Sequence, residues 1–127
     1  MVVSKINFAA ILLLAFLAGG AWGAHEAFMH HWPIVHTKFP GLSDWWNPAV
    51  SWTFKYRFPW WYPVQITDGK HLLFTIHGLC IAATFWIMRE QILWLSRPWP
   101  KGYILYLGGV FVSYTIGNIL TYNVIFG

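Results

Sequence analysis

Charge is what this sequence has least of. Eight Lys and Arg and four Asp and Glu are spread over 127 residues, 9% of the chain, where a soluble domain carries about a quarter. Not one of these four residue types occurs over residues 6–25, 71–88 or 102–127. Uncharged apolar runs of about 18 residues or more are long enough to cross hydrocarbon as a helix. An ordinary soluble domain is thereby excluded.

Cysteine is almost as scarce. The single Cys80 excludes an intrachain disulfide and leaves the redox compartment unread. Basic clusters are missing too, the longest being Lys55-Tyr56-Arg57, so no nucleic-acid stripe is present and no nucleic-acid partner is expected. Nor does the sequence contain a nucleophile elbow, a P-loop, a CxxCH haem box or an HExxH zinc box.

Aromatic residues are abundant instead, and they gather between two apolar runs. Residues 38–71 hold five of the ten tryptophans, four of the seven prolines and half of the charged side chains. The expected fold class is all-α integral membrane, a single domain over 1–127. Its helices are expected at 6–31, 71–96 and 103–126, the last two forming a hairpin, with an interfacial loop at 32–70.

The first run has the layout of a signal peptide, with Lys5, an apolar core and small Ala21 and Gly23 before Ala24. A retained helix is the expectation, because Ala15, Gly19, Gly23 and Ala27 recur every four residues, a stripe that admits a second helix closely. Pro33 disfavours helix at Trp32, so this helix is expected to end near His31. Its last turns read AHEAFMHHW. Two readings stand: an interfacial anchor, or part of a metal site, since imidazole and carboxylate suit zinc, iron, copper and nickel. The metal reading takes His30, His31, His36, Asp68 and His71 as ligands of one possible metal ion, gathered where the first two helices reach the same interface.

Loops longer than about 12–15 residues are uncommon unless functional or disordered, and disordered segments are poor in aromatics. Trp46, Trp52, Trp60 and Trp61 are therefore expected to be mostly buried, at headgroup level or against a neighbouring chain. Pro48 suits the first turn of a short helix over 48–56. Asp68 precedes an apolar run, as a helix cap does. The boxes Trp46-Asn47-Pro48-Ala49-Val50-Ser51-Trp52, Lys55-Tyr56 and Thr67-Asp68-Gly69-Lys70-His71 resemble those of an uncharacterised family of small bacterial and phage membrane proteins. In that family a W-(N/D)-P-x-x-S-W-x-N-K-Y box precedes a T-D-G-x-H box. Phe54 stands where the family has Asn. The resemblance implies that His36, Ser51, Lys55, Asp68 and His71 share one site or one structural core; it implies no activity.

In the second helix, His77 lies deep enough to be either a functional group or an ordinary interhelical hydrogen-bond donor. In the third, Gly109, Ser113, Gly117 and Thr121 recur every four residues, a small-residue face that must meet another helix. Basic residues divide evenly between the two sides, so the positive-inside rule does not decide orientation. The signal-like start favours a cytoplasmic N-terminus with the aromatic loop outside. Two functions compete. One is a non-enzymatic structural or accessory subunit of a membrane assembly, contacting lipids and either other subunits or copies of itself. The other is a metal-dependent or redox membrane enzyme with a His/Asp site at the interface.

Overall fold

A computed structural model describes residues 2–57, 68–94 and 101–126, and among these every regular element is helical. Helix α1 runs Val2–Lys38, α2 Gly69–Trp94 and α3 Lys101–Ile119, continued by a π-helical segment Leu120–Ile125; a short 3-10 helix, Ser51–Arg57, lies in the loop. Two stretches, Asn7–Lys38 and Gly69–Arg89, are long and apolar enough to cross a membrane.

The first helix is longer than its sequence predicts. It does not stop before Pro33 but continues to Lys38, with the distortion taken up at His31 (φ −127°, ψ 27°). A proline inside a helix clashes with the preceding turn and lacks a donor, but both costs vanish in a helix's first turn. Breaking the backbone at His31 puts Pro33 in that position for the resumed segment. Thr37 Oγ1 donates to the Pro33 carbonyl at 2.7 Å and closes the new turn. The expected short helix over 48–56 forms in part, as a 3-10 helix that begins only at Ser51 after hydrogen-bonded turns from Ser43 to Ser51.

Helix α1 is the centre of the molecule, packing against both α2 and α3. Most of the buried apolar residues belong to it: Ile11, Ala15, Ala18, Ala21, Ala24, Ala27, Phe28 and Val35. Its small-residue stripe packs on α3, Gly19 and Gly23 lying against Tyr114 and Asn118, and the stripe of α3 packs on α1 in turn. A Cβ on Gly23 would lie 2.7 Å from the Asn118 carbonyl oxygen, and one on Gly19 or Gly117 would strike the backbone of Tyr114 or Phe16. Gly109 lies against Leu12 and Phe8, and Gly20 lies against Gly117 and Thr121, while Ser113, between them on the stripe, is half-buried. The pairs ascend together along both helices, so α1 and α3 are parallel. Helices meet this closely only where side chains are absent, and close backbone approach is what gives such seams their van der Waals gain.

A second stripe of α1, Ala18, Trp22 and His25, faces α2. His77 donates from Nδ1 to the Ala18 carbonyl oxygen at 3.0 Å, and Trp22 packs on Phe74 and His77 with ring centroids 6.4 and 5.2 Å apart. The ring of Tyr114, from α3, completes the surroundings of His77 at 5.8 Å. His77 is thus an interhelical donor in an aromatic setting. The buried hydroxyl of Thr84 bonds back to the Cys80 carbonyl at 2.7 Å, so it adds no unpaired group to an apolar helix.

Candidate functional site

The polar and aromatic groups converge at the loop end of the bundle, around the start of α2. Asp68 is fully buried and caps that helix: Oδ1 accepts from the His71 amide at 3.0 Å. Its other oxygen accepts from His71 Nδ1 at 2.7 Å. A carboxylate only accepts, so the imidazole is fixed with its proton on Nδ1 toward Asp68. Nε2 is left as the ring's second nitrogen on a side chain that is about one-third exposed (36%). A histidine oriented by a carboxylate in this way is suited to binding a proton or ligating a cation.

Trp46 holds the loop over this cap. The Gly69 amide donates to the Trp45 carbonyl at 3.0 Å, and the Trp46 ring lies so close to Gly69 that a Cβ there would overlap it. The other side of the indole stacks on Phe28 of α1, centroids 5.0 Å apart. Phe28 also meets Trp32 and Phe126. With Ala24, Ala27 and Val35 they form the apolar cluster that fastens the loop to all three helices. The π-helical segment contributes Tyr122, whose hydroxyl is hydrogen-bonded to His31 Nε2 at 2.5 Å, at the point where α1 is distorted.

The proposed five-residue metal set does not assemble. Asp68 and His71 are paired, but His31 is engaged by Tyr122. His30 is exposed and pairs with Glu26 at 3.4 Å, and His36 is exposed beside Trp32. Among the described residues no three His, Cys, Asp or Glu side chains are gathered so as to hold a metal ion. The reason is rotational: His30, His31 and His36 follow one another around α1 and past its distortion, so they point in different directions.

Of the group implied by the family resemblance, Asp68 and His71 are joined and Ser51 is buried, its hydroxyl without a hydrogen-bond partner among the described residues. His36 stands apart from them on the surface, and the Lys55 side chain lies outside the described residues. The tryptophans divide as well. Trp46 is half-buried, whereas Trp52 is 48% exposed, its indole N–H bonded to the Ala49 carbonyl, so this chain alone does not bury it. Trp60 and Trp61 lie outside the described residues.

The residue that the sequence reading passed over is His25; Glu26 and His30, which share a helix face at i, i+4, do meet as that spacing allows. His25 Nδ1 lies 3.3 Å from one oxygen of Glu26, and His30 Nε2 lies 3.4 Å from the other. The signal was present in the spacing of Ala18, Trp22 and His25, at i, i+4 and i+7. Comparison with models of protein families, with curated proteins and with solved structures gave no match.

Proposed function

We propose that this chain is an integral membrane protein of three spanning helices, acting as a non-enzymatic structural or accessory subunit of a larger membrane assembly. Its N-terminus is cytoplasmic and the aromatic loop lies on the outer side. One observation carries the reading: only 11% of the apolar window of α2 is buried inside the chain. Phe74, Leu79, Phe85 and Trp86 all stand exposed on that helix. Such a face needs an apolar surrounding, supplied by lipid and by neighbouring subunits or copies of this chain.

The loop adds Trp52 and Tyr56, both exposed, large and aromatic. Aromatic anchors of this kind dominate interface energies when a partner covers them. The small-residue stripes do not serve as partner sites in this reading, since α1 and α3 consume them on each other.

A second reading, a metal-dependent or redox enzyme, is favoured by the buried Asp68 that orients His71. The other three histidines do not fit one ion with that pair, so no reaction step follows from it. Substitution separates the readings. A structural subunit releases from its complex on Trp52→Ala and retains it on His36→Ala and His71→Ala. A metal enzyme loses bound metal on the histidine substitutions, measured by elemental analysis, while its assembly survives Trp52→Ala.

A further inference from the structure

The loop that follows α1 turns back on itself from Ser43 to Arg57 and bonds many of its own polar groups. Successive turns join the Trp46 amide to the Ser43 carbonyl, the Asn47 amide to that of Asp44 and the Ser51 amide to that of Asn47. Asn47 Oδ1 accepts from the Ala49 amide, and Thr53 Oγ1 donates to the Val50 carbonyl at 2.7 Å. Trp46 is half-buried and Ser51 buried, whereas Asp44, Val50, Trp52, Tyr56 and Arg57 are exposed.

The exposed side chains follow an order. Asp44 comes first, Trp52 lies in the middle and Lys55 and Arg57 come last, with no other charge in residues 39–57. Trp52 and Tyr56 meet edge to face, centroids 6.2 Å apart. An indole seated among lipid headgroups uses its N–H to reach the wet layer. That of Trp52 is bonded to the Ala49 carbonyl at 3.0 Å instead, so the ring offers apolar surface alone. The Arg57 guanidinium lies over the Phe54 ring, 4.3 Å from its centroid, a stack that limits its freedom. Among the described residues no ion pair engages Asp44 or Arg57.

We infer that this stretch of the loop docks on the same stretch of a second copy of the chain. Arg57 of each copy meets Asp44 of the other, across a centre made of Trp52 and Tyr56. The inference rests on the assembly reading and names one partner within it. A two-fold interface needs a patch that complements itself. Opposite charges at the two ends of one run meet that need, because a half-turn about the middle brings acid onto base twice and aromatic onto aromatic. Tryptophan, tyrosine and arginine are also the side chains that dominate interface energies once covered. An anionic lipid surface would attract Arg57 but repel Asp44, so a second copy is the occupant that uses both charges.

The test measures energy transfer between copies of the full chain labelled at the N-terminus with donor or acceptor. They are mixed in phosphatidylcholine vesicles with and without phosphatidylglycerol. The unaltered chain should pair in both. Arg57→Glu and Asp44→Lys should each weaken pairing about tenfold or more, since each sets like charges together twice. Arg57→Glu copies mixed with Asp44→Lys copies should pair again, because every contact is then between opposite charges; this also shows that both variants fold. Absence of transfer in the unaltered chain, transfer that survives either reversal, or a mixture that stays apart would overturn the inference. Transfer seen only with phosphatidylglycerol would overturn it in favour of a lipid surface. In any of those cases, protein adducts formed from α2 in native membranes would still support the assembly reading, and adducts to lipid alone would end it separately.

Discussion

The six-membered ring of the Trp46 indole rests on Gly69, the first residue of α2, with no space for a side chain between them. The loop can seat on the helix only because that position is glycine. Gly69→Ala should therefore destabilise the fold by about 1–3 kcal/mol through overpacking, read as a lower unfolding midpoint in mild detergent. Trp46→Ala removes the obstructing ring, so in the double variant the added cost of Gly69→Ala should largely vanish. Additive losses would mean that the two residues are not in contact.

The glycines of α3 and α2 make a sharper contrast. Gly117 faces the Phe16 carbonyl and the Gly20 amide, whereas nothing lies within 4 Å of a Cβ built on Gly78 or Gly108. Gly117→Ala should cost about 1–3 kcal/mol by forcing α1 from α3. Gly78→Ala and Gly108→Ala should be neutral or stabilise by about 0.5–1 kcal/mol, as alanine does in a helix interior. Unfolding midpoints measured side by side decide the matter, and equal effects at the three positions would contradict the seam.

The seam itself was legible because helix periodicity and residue size are both local: small residues every four positions define one face before any partner is known. The kink was not, since the rule that proline ends a helix is silent on whether the chain resumes. His31 supplied the break and Pro33 the new first turn. The metal set failed for a related reason. Spacing along α1 says which residues share its face, but not that Tyr122, 91 residues later, would take His31. His25 went unread because the second stripe of α1, rotated from the glycine stripe, is marked by only Ala18, Trp22 and His25.

Asp68 offers a test of the cap. Asp68→Ala removes the acceptor of the His71 amide and the partner of its ring, and should cost about 0.5–2 kcal/mol for the cap alone. Asp68→Asn keeps a side-chain carbonyl for the amide and should cost less. Hydrogen exchange at the His71 amide is the readout: faster in Asp68→Ala than in Asp68→Asn. Equal exchange in the two would remove Asp68 from its capping role.

The assembly reading stands on what covers α2, and photo-crosslinking from that surface addresses it most directly. A photoreactive phenylalanine at Phe85, an exposed position on the helix, would be activated in native membranes and its adducts resolved by mass. The account predicts protein adducts of discrete size that diminish in a Trp52→Ala background. Adducts to lipid alone, with or without Trp52, would contradict it.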